Sequence, residues 1–274
     1  MALSLNFTLC KIVMNNINLN KVVIMKKFMI HFPIIISISW AFAKPKYGPL
    51  EKPKATTLSQ NHDYLKHAEK TDFWNLVEHY RGMEGDHSAS AASVAMAFNA
   101  LRGNPSKLTG SDENFSENTL LNVDSQHRWK KSISGKSPKN VTLKDLQNYA
   151  QEAAQKLLSH AQLTFELMES SQIKKWNESE WMSFLEKNET NPQSIVIAFY
   201  LQGAHTDDPE GMVGTFSPIG AFNSKLKQVL IMETDRKYYA PYWISLNTFQ
   251  NAILELETKS TKKGQNGGLL VISF

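Results

Sequence analysis

From Ser90 to Leu101 the chain is Ala, Val, Met, Phe and Leu interleaved with two serines and one asparagine, Asn99, and no polar stripe runs along it. A helix apolar on nearly every side has to be covered on every side, so the rest of the domain must enclose this one. Gly103 and Pro105 supply its stop. What encloses it is read from the pattern on either side. Ahead lies a short amphipathic piece, Phe73 to Tyr80. Behind lies a polar stretch, residues 104–140, expected to be largely loop.

Thr142 then starts a helix reaching about Leu158, with Asp145 three residues on in a box-like arrangement. Leu163 to Met168 alternates as a strand. Glu178 to Lys187 reads as a helix with Trp181, Phe184 and Leu185 on one face. The second half turns to strands. Ser194 to Tyr200 is β-branched and aromatic, and Phe216–Phe222 with Gln228–Glu233 reads as a hairpin around Asn223-Ser224. Tyr239 to Ile244 is extended, Leu246 to Leu256 helical, and Leu269 to Phe274 a last strand. Helices first and a mostly antiparallel sheet second is an α+β order. Trp74, Trp176, Trp181 and Trp243 are expected in the core or in the wall of a groove.

The 274-residue chain carries 30 basic and 26 acidic residues. Four of the lysines, Lys11, Lys21, Lys26 and Lys27, fall in residues 1–43, which hold no acid. The other 26 balance the 26 acids, so the body is neutral and a nucleic-acid binder relying on bulk positive charge is excluded. The leading stretch reads as an extension followed by a secretory signal: Met25, the Lys26-Lys27 pair, an apolar run from Phe28 to Trp40, and Ala41-Phe42-Ala43 as the cleavage site. That run is short for a membrane span. Export to a periplasm or the exterior, with no stable span after cleavage, is the expectation. Residues 44–71, with Pro45, Pro49 and Pro53 at their start, read as a linker, and residues 72–274 as one domain. Cys10, the single cysteine, lies in the leader. The body therefore has no thiol nucleophile, no disulfide and no cysteine-ligated zinc.

Three runs carry a family resemblance. The first is Ala89-Ser90-Ala91-Ala92-Ser93, continuing to Asn99-Ala100-Leu101. The second is Gly214-Thr215-Phe216-Ser217-Pro218-Ile219-Gly220. The third is Glu233-Thr234-Asp235-Arg236-Lys237-Tyr238-Tyr239-Ala240-Pro241-Tyr242-Trp243. In this order they resemble the phytochelatin synthase family, papain-like transpeptidases that act on glutathione. The closing Gly267-Gly268-Leu269-Leu270-Val271-Ile272-Ser273 is similar too. The resemblance implies a papain-like cysteine-peptidase fold, with a helical first half packed on the sheet.

It also implies where the chemistry would sit. The family forms a thioester with the γ-glutamylcysteinyl group of glutathione, using a cysteine, a histidine, an orienting acid and an oxyanion donor. The cysteine position is Ala89, whose methyl has no lone pair. The histidine position is Thr215, which cannot shuttle a proton near neutral pH. The acid position is Glu233, one methylene longer than the family's aspartate. The donor position, six residues before the nucleophile, is Met83. Loss of one triad member costs on the order of 10⁶ in rate in a serine-protease example. With nucleophile, base and donor all replaced, the reading is a catalytically degenerate member.

Binding is the function then expected. The helix start near Ala89 offers backbone N–H groups, so Ser90 there and Arg236, three residues past the acid position, are the candidate substrate-binding residues. In the resembled family the Arg236 region helps hold the substrate's charged ends. An alternative reading of Arg236 is an ion pair with Glu233 or Asp235. The partners expected are glutathione, another γ-glutamyl peptide, or a protein. A rival reading keeps an active γ-glutamyl transferase or amide hydrolase that uses Ser88 or Ser90 beside Asp86 and His87. Against it, Asp86 and Ser88 read as helix caps, and Ser90 and Ser93 as packing residues. The run His205-Thr206-Asp207-Asp208-Pro209-Glu210 could hold a metal but reads more simply as a solvated turn. No metal site or cofactor is expected; in the resembled enzymes metal enters as a thiolate of the substrate.

Overall fold

The computed structural model describes residues 54–102, 114–123, 126–134, 141–159 and 161–274. The leader read over residues 1–43, the start of the linker, and the Gly103-Pro105 stop lie outside them. In chain order the elements are β1 (Thr56–Thr57), α1 (Asp72–Val77), α2 (Ala89–Arg102), α3 (Glu117–Val123), α4 (Arg128–Ile133), α5 (Leu143–Leu157), β2 (Thr164–Glu169), α6 (Ser170–Ile173), α7 (Glu178–Glu189), β3 (Ser194–Leu201), α8 (Gln202–Thr206), β4 (Gly214–Asn223), β5 (Gln228–Ile231), β6 (Tyr242–Ser245), α9 (Leu246–Leu254), α10 (Leu256–Lys259) and β7 (Gly268–Ser273).

Helices followed by a sheet give the α+β class. The strands run β1-β6-β5-β4-β3-β7-β2, and every pairing is antiparallel. Strand β3 is buried along its whole length. Its side chains alternate across the sheet as a strand's must. Ile195, Ile197, Phe199 and Leu201 pack toward the apolar residues of α2 and α5. Val196, Ala198 and Tyr200 pack on the opposite face with Trp181 of α7 and Phe249 of α9. A strand covered on both faces reads as an unbroken apolar run, not an alternating one.

Helix α2 fills the interior between that sheet and the smaller helices. Every residue from Ala89 to Leu101 is buried. Ser93 sends its hydroxyl to the Phe216 carbonyl of β4 (3.0 Å), so the helix is tied to the sheet by a polar bond within apolar packing. Helix α5 starts as its sequence announces: the Thr142 hydroxyl accepts from the Asp145 N–H (3.1 Å), and the Asp145 carboxylate accepts from the Thr142 N–H (3.1 Å). The β4–β5 hairpin also follows the sequence pattern, as do the positions of β2 and β7; their pairing with each other is a finding of the structure.

Four expectations are corrected. Residues 54–71 are not linker. Thr56 and Thr57 pair with Trp243 and Tyr242 of β6, Ala55 and Leu65 are buried, and the Tyr64 ring meets Trp243 edge-on at 5.7 Å. Within 104–140, α3 and α4 replace expected loop, because Leu120, Leu121 and Trp129 anchor them in the core. The segment around His205 is no solvated turn: His205 and Thr206 are fully buried in α8, and Asp208 just beyond it is buried as well. Of the tryptophans, Trp181 and Trp243 are core, whereas Trp74 is 44% exposed.

Candidate functional site

Three connections bring the matched runs together. The Met83 N–H donates to the Thr234 carbonyl (2.8 Å), and the Tyr80 hydroxyl to the Glu233 carbonyl (2.6 Å). Residues 80–83 are thereby laid along the segment that follows β5. The Thr234 hydroxyl in turn reaches the Phe216 carbonyl of β4 (3.1 Å), the same atom that receives Ser93. The Glu117 carboxylate accepts from the Glu84 N–H (2.8 Å) and steadies the approach to α2.

The result is a cavity of about 180 Å³ at the N-terminal end of α2. Its wall includes Met83, Ala89, Ser90 and Thr215, so three of the four family-derived positions share one space with a candidate binding residue. Asp86, His87, Gln202, Asp235, Lys262 and Gln265 add polar side chains to the wall, and Gly214 adds backbone. Gly214 is required where it stands: a Cβ there would lie 2.8 Å from both Gln265 Oε1 and the Phe199 ring. Burial holds the His87 imidazole below its ordinary pKa, and the nearby Lys262 lowers it further against the opposing pull of Asp86.

Glu233 is not in the cavity wall. It is fully buried behind it. Its Oε2 accepts from Tyr200 (2.8 Å) and Tyr242 (3.2 Å), and its Oε1 from the Asp235 N–H (3.1 Å) and the Ser217 hydroxyl (3.4 Å). Burial and the Glu233 charge push both tyrosines well above their ordinary pKa, so both stay protonated as donors. His205 closes this network from α8. Its ring stacks on Tyr200 at 4.1 Å and its Nδ1 meets the Tyr242 hydroxyl at 3.1 Å. Complete burial depresses its pKa and keeps the imidazole neutral. Among the described residues no group of three His, Cys, Asp or Glu side chains is placed to hold a metal ion.

Arg236 stands apart as well. It is exposed, and its guanidinium lies over the Tyr80 ring at 4.7 Å. The Glu233 and Asp235 ion pair weighed from the sequence is replaced by that cation–π contact. The two serines of the rival reading have other engagements. The Ser88 hydroxyl donates to the Gly85 carbonyl (3.0 Å) and accepts from the Gly85 N–H (3.0 Å). Ser90 Oγ accepts the Trp129 indole N–H (3.0 Å).

Sequence reasoning missed Gln202, Lys262 and Gln265. Gln202 follows the apolar β3 run directly, and a polar residue at the end of a buried strand is a usable signal. Lys262 sits in Lys259-Ser260-Thr261-Lys262-Lys263, which looks like any solvated turn. No helix of the described residues is long and apolar enough to cross a membrane.

Residues 53–265 match a family model described as phytochelatin synthase. No curated protein matches the chain.

Proposed function

Because the chain belongs to the phytochelatin synthase family, we propose that it is a papain-like member stripped of transpeptidase chemistry. On this reading it is a pseudoenzyme that binds a γ-glutamyl peptide, or a carboxylate-bearing tail of a protein partner, in the cavity at the start of α2. One observation supports this above the others. The cavity wall presents a methyl at Ala89, a hydroxyl at Thr215 and a thioether at Met83. Acyl transfer there needs a nucleophile, a proton carrier and an oxyanion donor. At the position where each role is required it is missing: the Ala89 methyl cannot attack, the Thr215 hydroxyl cannot carry a proton near neutral pH, and the Met83 thioether cannot donate. Glu233, the surviving acid, is committed to Tyr200 and Tyr242, and among the described residues no imidazole is hydrogen-bonded to it: His205 reaches only the Tyr242 hydroxyl, away from the cavity wall. The leader over Met25–Ala43 adds that the protein acts after export, in a periplasm or outside the cell.

The serine-based rival is disfavoured by the same geometry. Ser88 is turned back on Gly85, and Ser90 carries the indole N–H of Trp129. Among the described residues neither hydroxyl has a hydrogen-bonded imidazole to take its proton.

The test is direct. The full chain is incubated with glutathione and cadmium ion, and products are read by thiol chromatography; no γ-glutamylcysteine and no longer thiol peptide is expected. Calorimetry with millimolar glutathione is expected to show binding. Appearance of either product would refute the pseudoenzyme reading, and absence of heat would refute the binding role. The triple variant Ala89→Cys, Thr215→His, Met83→Gln is expected to regain turnover, since the cavity that would hold the substrate is present.

A further inference from the structure

Lys262 is half-buried, lines the cavity, and makes no ion pair among the described residues. Its loop is held firmly. The Lys262 N–H donates to Ser260 Oγ (3.1 Å), Ser260 Oγ donates to Gln265 Oε1 (3.0 Å), and the Thr261 N–H donates to the Met212 carbonyl (2.9 Å). An ammonium partly withdrawn from water with no carboxylate beside it is costly. The two acids in the wall do not relieve it. The Lys237 pKa is raised first by Tyr238 and then by Asp86 and Asp235, whereas the Lys262 pKa is lowered by burial, with no carboxylate raising it.

Two glutamines accompany this lysine in the wall, each more than nine-tenths buried: Gln202 is 5% exposed and Gln265 3%. Gln202 makes no side-chain hydrogen bond among the described residues, although its backbone is fixed at both ends, N–H to Val213 and carbonyl to Thr206. Gln265 accepts from Ser260, and its amide nitrogen makes no hydrogen bond among the described residues. Buried amides are ordinarily paired. Here their open hydrogen-bonding capacity borders the same space as an unpaired cation and the start of a 14-residue helix with no acid in its first turn.

We propose that Lys262, with the Gln202 and Gln265 amides, forms a carboxylate-binding subsite in this cavity. It rests on the reading above that the cavity is a binding site, and it names what the site grips: an anionic carboxylate end, held by charge and by amide N–H donors. The uncharged body of the ligand then lies toward Ala89 and Thr215, where no reactive group meets it.

The experiment uses glutarate and its neutral counterpart glutaramide as probes, with the full chain, by calorimetry at low salt. Glutarate binds and glutaramide does not. Lys262→Gln weakens glutarate by about 10-fold or more, Lys262→Arg keeps it within a few-fold, and Gln202→Leu, with the charge intact, weakens it by a smaller factor. Urea midpoints of the three variants confirm that each is folded. Equal affinity of glutarate and glutaramide, or unchanged affinity in Lys262→Gln, overturns the subsite, as does the absence of any glutarate binding. Glutathione run in parallel separates the two claims. Glutarate bound and glutathione not bound leaves the subsite standing and rejects the γ-glutamyl reading. Glutathione bound equally by the parent and Lys262→Gln does the reverse.

Discussion

Tyr200 and Tyr242 direct their hydroxyls to one buried carboxylate, that of Glu233. Hydrogen bonds to a charged acceptor are among the stronger ones, and the carboxylate cannot turn to water for a replacement. Tyr200→Phe is therefore expected to cost about 1.5–3 kcal/mol in urea unfolding. A loss under about 0.5 kcal/mol would show that Glu233 does not depend on that donor. Ser90 gives a companion case. Ser90→Ala removes the acceptor of the buried Trp129 indole N–H and is expected to cost about 1–3 kcal/mol, although serine and alanine pack alike in α2. The same residues show what one sequence discloses. Ala89, Thr215 and Met83 were placed by motif spacing, and they do share a cavity wall. Glu233 has the right motif position, yet its carboxylate serves the core, which its side-chain identity alone does not reveal. Arg236 reads as a substrate-binding residue, or else as an ion-pair partner of Glu233 or Asp235, but it lies over Tyr80 outside the cavity wall, because stacking depends on a residue 156 positions upstream, outside any local pattern.

The elements with strong local signals were legible. The Thr142–Asp145 box, the Asn223-Ser224 hairpin and the enclosed helix α2 each rest on a few neighbouring residues. Helices α3, α4 and α8 were not, since each is a polar text held by tertiary contacts. For α8 and the turn beyond it, Asp208 accepts from Tyr239 (2.5 Å) and from the Glu210 N–H (2.9 Å), and His205 stacks on Tyr200. Helix α7 carries a titratable consequence. At its end Glu189 accepts from the Phe222 N–H (2.9 Å) and from Tyr64 (3.4 Å), and burial raises its pKa to about 7. Asp72 at the start of α1 is raised too, first by burial and then by the Glu189 charge. Both acids hold a proton more tightly in the folded state than in the unfolded chain. Their contribution is fully present below the unfolded pKa and is lost as pH rises through the folded one. Stability should therefore decline between about pH 4.5 and 7. The share of Glu189 is of order 1 kcal/mol once solvent screening is allowed for. Urea midpoints at pH 5 and 7.5 should differ less in Glu189→Gln than in the parent; an equal difference would assign the decline elsewhere.

At the scale of the molecule, the fold begins earlier than Pro45, Pro49 and Pro53 suggest. The stretch 44–71, which reads as linker from its prolines, holds an edge strand and a core leucine within its described residues. The threonine pair of β1 is too short to register as a strand, and Leu65 is one apolar residue among polar neighbours. A chain starting at residue 54 is expected to unfold cooperatively. One starting at residue 72 loses Leu65, the Tyr64–Trp243 contact and the cover over β6. Its melting transition should fall by several degrees or vanish, on the usual scale of about 4–8 °C per kcal/mol for a small domain and less for a larger one. Equal melting of the two forms would return residues 54–71 to linker status.

Strand β7 lies between β3 and β2, and among the described residues β2 has no other neighbour in the sheet. The Thr164 and Ser273 hydroxyls that meet across that ladder are 109 residues apart in sequence. During synthesis, β2 thus leaves the ribosome long before the strand it must zip onto exists. Until then the edge of β3 that β7 will occupy is an open template for any passing extended chain. Nascent chains of this protein should consequently need a holding chaperone over that interval, and the sheet should close only as its late-arriving middle strand slots in.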